Sequence, residues 1–105
     1  MEGGQTNEFR PLILVAEDDD SNFKLIKAII GKKCDIQWAK NGEEIVALFK
    51  EYGKEAKAIL MDIKMPVMNG LDATKIIREE NKEIPIIMQT AYAFSSDKEL
   101  SLIHI

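Results

Sequence analysis

A chain of 105 residues, 46% hydrophobic and 30% charged, has the balance of one folded domain and is too short for two. Its net charge of −4, with the basic residues scattered, argues against direct nucleic-acid binding. The single cysteine, Cys34, rules out an internal disulfide, and no paired Cys or His offers zinc-ligand spacing, so a reducing, cytoplasmic setting is expected.

Residues 1–10 (MEGGQTNEFR) hold no apolar segment of signal-peptide length and read as a flexible leader or linker. No apolar run approaches the roughly 20 residues that span a bilayer, so no membrane association is expected. Leu12–Ala16 (LILVA) is continuously apolar, as suits a strand buried on both faces of a parallel sheet. Glu17, Asp18, Asp19 and Asp20 follow at once, and then Leu25, Ile26, Ile29 and Ile30 fall at helical spacing before Gly31. A short strand is expected at Asp35–Ala39. Beyond Asn41 and Gly42, the residues Ile45, Leu48, Phe49 and Tyr52 mark one face of a second helix closed by Gly53.

Residues 58–61 (AILM) read as a buried strand ended by Asp62, and the loop KMPVMNG leads into a third helix with Leu71, Ile76 and Ile77 expected to face inward. Residues 84–88 (IPIIM) read as a fourth strand, ended by Gln89, Thr90 and Ala91. Apolar strands alternating with helices predict a doubly wound α/β sheet with right-handed crossovers. In such sheets ligands bind beyond the carboxyl ends of the strands. Glu17, Asp18, Asp62 and Thr90 all fall there.

Carboxylates clustered without His or Cys suit a hard cation such as Mg²⁺, which takes oxygen ligands and retains several waters. Without a cation they repel, so at least one is expected to titrate above its ordinary range. An aspartate can also act as a nucleophile toward phosphoryl groups, with a nearby hydroxyl donating to a phosphoryl oxygen. Asp19 and Asp20 read instead as a solvated helix start, where negative charge suits the helix dipole. Trp38, Cys34 and most methionines read as packing residues.

Three stretches, VAEDDDSN, ILMDIKMPVMNG and IPIIMQTAYA, occur in an order and at gaps that resemble the receiver domain of two-component response regulators, over residues 11–100. The resemblance implies a flavodoxin-like fold with strand order 2-1-3-4. It implies that Asp62 is the phosphoacceptor for a sensor histidine kinase, whether a separate protein or part of the same polypeptide. Mg²⁺ would be held by Glu17, Asp18, Asp62 and the backbone carbonyl of Lys64, and Lys64 would also flank the phosphoryl group. Thr90 resembles the switch hydroxyl, Ala91 would donate its amide beside it, and Tyr92 would flank the path of the hydrolytic water. Pro66 and Gly70 would shape the loop. No turnover enzyme is implied beyond self-catalysed phosphotransfer and autodephosphorylation.

The same residues admit other readings. Asp18, Asp20 and Asn22 hint at a calcium loop, but Phe23 occupies its Gly position and Ile29 its terminal Glu position. A phosphatase using Asp18 as acceptor leaves the Asp62 loop without a role. A binding-only pseudo-receiver is the remaining alternative. The resemblance places the receiver at residues 11–99 and expects a fifth strand, bearing a lysine, and a fifth helix to be missing. Residues 100–105 (LSLIHI) read as a tail foreign to the family, with an assembly artefact as one origin. The fourth strand would then be an unprotected edge, apolar surface would lie open on the first helix's face, and phosphotransfer would be impaired.

Overall fold

The computed structural model describes residues 10–91 and 100–104, with 89–91 and 100–104 described by backbone alone. Element order is β1 (Leu12–Ala16), α1 (Asp20–Ile30), β2 (Asp35–Ala39), α2 (Gly42–Tyr52), β3 (Ala56–Asp62), α3 (Gly70–Glu80), β4 (Ile86–Ala91) and β5 (Leu100–His104). The first four strands pair in parallel in the expected order β2-β1-β3-β4. Expected Tyr92 and most of the leader lie outside the described residues.

Each helix begins with the same local chemistry at the carboxyl end of a strand or the loop beyond it. Asp19, Asn41 and Asn69 are N-caps in extended conformation, and their side chains accept from the amides of Asn22, Glu44 and Asp72 at 3.0, 2.9 and 2.9 Å. Such caps each contribute about 1 kcal/mol and fix where the helix starts. At the opposite end of the sheet the Arg10 guanidinium donates to the carbonyls of Gly31, Lys32 and Cys34 and to the Asp35 carboxylate. It thereby satisfies acceptors left over where α1 ends.

Period-two alternation along the strands divides the apolar residues between the two faces of the sheet. On one face Leu14, Ala16, Ile59, Met61, Ile86 and Met88 are buried beneath Ile45, Val46 and Phe49 of α2 and Ala73 and Ile77 of α3. On the other, α1 contributes a single buried residue, Ile26, while Leu25 and Ile29 are 53% and 68% exposed. Between α1 and Ile13, Leu60 and Ile87 runs an apolar groove of about 390 Å³.

Three expectations need correction. Leu71 does not face inward but is 48% exposed, because the buried stripe of α3 runs Gly70, Ala73, Thr74, Ile77, and Leu71 stands one helical step away from it. β4 begins at Ile86 rather than Ile84; Pro85 has no amide to give a ladder, although its carbonyl accepts the Ile59 amide at 2.9 Å. Nor is β4 an exposed edge. Leu100–His104 pairs with it antiparallel, Leu100 opposite Ala91 and His104 opposite Ile87. Residues 92–99 are fewer than the dozen or so that a parallel crossover needs, so a return onto this edge has to be antiparallel.

Ile77→Ala is expected to cost about 2–5 kcal/mol in urea unfolding, since Ile77 is fully buried in the closed layer. Leu71→Gln is expected to stay within about 0.5 kcal/mol of the parent.

Candidate functional site

The register of the sheet assembles the site. Ala16 pairs with Met61, so the residues that follow, Glu17 and Asp62, leave adjacent strands side by side. One carboxylate oxygen from each of Glu17, Asp18 and Asp62 lies within 4.8 Å of the others. Glu17 is 1% exposed, Asp62 half-buried and Asp18 exposed. Burial first, then the charge of Glu17 and the hydrogen bond and charge of Asp18, together push the Asp62 carboxyl up to about 7 against the opposing Lys64 amide. Burial also raises Glu17, against hydrogen bonds from the Asp19 amide (3.2 Å) and the Asn22 side chain. The expected carboxylate repulsion is thus present.

Close backbone approaches hold the loop after Asp62. A Cβ on Gly70 would lie 2.2 Å from the Asp62 carbonyl oxygen, so only glycine lets α3 begin against the end of β3. Its amide donates to Ile63 at 2.9 Å. Gly42 meets the same constraint from the Met68 carbonyl, which accepts its amide at 2.9 Å and ties the loop to the start of α2. The left-handed backbone conformation in this loop falls on Val67, with φ of 70°. The Met68 amide donates back to Pro66 at 2.7 Å, making Val67 the centre of a three-residue γ-turn of the strained kind.

Glu17, Asp18 and Asp62, expected to share one site, lie together, and the Lys64 amide donates to Asp62. Thr90 and Ala91 end β4 one and two residues beyond Gln89, the partner of Asp62 in the ladder. Asp19 caps α1 and Asp20 sits 3.4 Å from Lys40, so neither belongs to the carboxylate cluster. Trp38, expected to be a packing residue, also donates through its indole nitrogen to the Glu17 carbonyl at 2.7 Å. A partly buried indole N–H needs an acceptor, and that requirement was the signal available in the sequence.

A family model described as the response regulator receiver domain matches residues 13–102. The chain belongs to this family. The receiver is 44% identical over 95 residues to hybrid signal transduction histidine kinase I of Dictyostelium discoideum, covering 83% of this chain and 6% of that protein. It is 44% identical over 93 residues to response regulator sskA of Aspergillus fumigatus, covering 85% and 11%. The chain therefore spans a small part of those relatives. Against the polar-differentiation response regulator DivK of Brucella anthropi, it is 32% identical and covers 83% of this chain and 72% of that one. Among solved structures, it superposes on the CheX-CheY-BeF3-Mg complex of Borrelia burgdorferi with TM-score 0.75 at 26% identity, covering 83% of this chain and 66% of that one. The non-phosphorylated HemR receiver of Leptospira biflexa gives 0.72 at 27%, covering 84% and 70%.

Because the folded receiver holds protons on Asp62 and Glu17 more tightly than the unfolded chain does, metal-free stability should fall as pH rises from about 4 through 7. Urea melts in EDTA across that range check the sign. Asp62→Asn should remove much of the slope and raise the melting temperature at pH 8. Val67→Gly should stabilise the fold by about 1 kcal/mol in the same urea melts, because glycine has no Cβ to strain in a γ-turn of positive φ and Val67 is 73% exposed.

Proposed function

We propose that this receiver is a phosphorelay element in which Asp62 accepts a phosphoryl group from the phosphohistidine of a sensor histidine kinase. The observation that carries the reading is the placement of Asp62 at the end of β3, within 4.8 Å of two further carboxylates and fed by the Lys64 amide. A carboxylate oxygen of Asp62 attacks phosphorus, the histidine N–P bond breaks, and the imidazole leaves and takes up a proton. An all-oxygen donor set of three carboxylates fits a hard divalent cation, which Glu17, Asp18, Asp62 and the Lys64 carbonyl would hold. Mg²⁺, when bound, supplies charge neutralisation for the carboxylates and the phosphoryl oxygens.

The role of this chain's residues follows from their positions. Ionised Asp62 is the nucleophile, so the burial that raises it toward 7 holds back the reaction until the local negative charge is offset. Thr90 and Ala91, at the end of the neighbouring strand, would donate to the phosphoryl group and shift the population of β4-side conformations that a downstream partner reads. The receiver is then a substrate of its kinase, with self-catalysed transfer and hydrolysis and no independent turnover. A cytoplasmic location suits a phosphohistidine donor, and no helix among the described residues is long and apolar enough to cross a membrane.

Incubation with acetyl phosphate and Mg²⁺ should give one phosphoryl adduct by intact mass, lost in Asp62→Asn and in EDTA. Steady phosphate release that survives Asp62→Asn but not Asp18→Asn would favour a phosphatase. Metal binding without any adduct would favour a binding-only pseudo-receiver.

A further inference from the structure

We propose that Trp38 is a positioning residue for the acidic pair, acting through the main chain of Glu17; this rests on the metal-binding reading of Glu17, Asp18 and Asp62. Both backbone polar groups of Glu17 are held by β2. Its amide donates to the Ala39 carbonyl at 2.9 Å, and its carbonyl accepts the Trp38 indole N–H at 2.7 Å. The first of these continues the parallel ladder past Ala16 and is available to any residue at that point. The second requires a side chain that is long, rigid and equipped with a single donor, which tryptophan provides.

The ring itself is fixed. Phe23 stacks on it with centroids 3.9 Å apart and planes 2° from parallel, and the Lys40 ammonium lies 4.8 Å from its centroid. Lys40 also reaches Asp20 in the first turn of α1. Trp38 thus links β2 to both the Glu17 peptide and the opening of α1, on either side of Asp18.

A residue held at both its amide and its carbonyl sets where its own side chain and that of the next residue project. Three carboxylates within 4.8 Å repel one another before a cation arrives, which favours spreading of residues 17–19, the link between β1 and α1. The indole bond resists that spreading, so the ligand set is preorganised for the metal instead of being gathered by it. Without the bond, binding has to supply the reorganisation, and affinity falls while the fold persists.

Trp38→Phe retains a ring for Phe23 and deletes the donor. Titration of Mg²⁺ alone into the purified chain by calorimetry should show a dissociation constant weakened by roughly 3- to 10-fold, the range for one lost hydrogen bond. Thermal melting in EDTA separates the two roles. A merely structural Trp38 would lower the melting temperature and leave the affinity of the folded molecules unchanged, and that result overturns the proposal. Should Trp38→Phe fail to fold, Phe23→Leu decides: it frees the indole plane, and about twofold weaker Mg²⁺ binding is expected, unchanged binding being the contrary result. Absence of Mg²⁺ binding by the parent chain would overturn the metal reading and this inference together, whereas normal parent binding with unaltered variant affinity overturns this inference alone.

Discussion

The governing constraint of this domain is that its sheet forces three carboxylates into one small volume. Parallel pairing of Ala16 with Met61 fixes Glu17 beside Asp62, and Asp18 follows by chain connectivity. At an effective dielectric near 20, each ionised pair at such separation is unfavourable by on the order of 3 kcal/mol. Asp18 is exposed, but the Glu17–Asp62 pair cannot separate, since Glu17 is enclosed and the strand register cannot slip without turning the buried faces of β1 and β3 outward. The remaining routes are protonation, which the raised Asp62 carboxyl expresses, or a bound cation. Stability and function are therefore opposed at this point in the metal-free protein.

The backbone around the cluster is arranged to keep it from dispersing. On the Asp62 side, α3 starts in van der Waals contact with the end of β3 at Gly70, and the loop closes through a turn strained at Val67. The same loop is fastened to α2 by the Gly42 amide on Met68. A looser loop could avoid the left-handed residue, but it would let Lys64, whose amide feeds Asp62, drift from the carboxylate. Strain in the loop and tight approach at the glycines are two expressions of one demand, that the backbone past Asp62 stay near it.

Much of this was legible in the sequence because the strongest signals are short and local. LILVA followed by acidic residues, and ILMD followed by a Pro and Gly loop, declare buried strands whose ends carry chemistry, and the parallel order follows from alternation with helices. What escaped were features decided by three-dimensional partners. Leu71 looked apolar enough for the core, but its phase relative to Ala73 and Ile77 turns it outward. The pairing of Leu100–His104 with β4 depends on an available edge and a short connection, neither of which is written in LSLIH itself. Gly70, expected to shape the loop, is required by contact, and the positive φ falls instead on a valine. The role of Trp38 is the same kind of omission: its acceptor lies 21 positions away in the chain.

The two faces of the sheet explain why the Glu17 side is held through β2, whereas the Asp62 side is held through α2 and α3. α2 and α3 each bury four residues against the closed layer, so the start of α3, and with it the loop from Asp62, inherits its position from the core. α1 buries only Ile26 and leaves an apolar groove open beside it. A helix so lightly anchored cannot by its own packing dictate the geometry of the loop that precedes it. The acidic pair lies on that loop, and its placement has to come from elsewhere. β2 is the strand next to it, and it supplies the Trp38 indole and the Ala39 carbonyl, with the Lys40 ammonium from the residue just beyond it. The electrostatic side of the site is thus built by a strand that contributes no carboxylate to it.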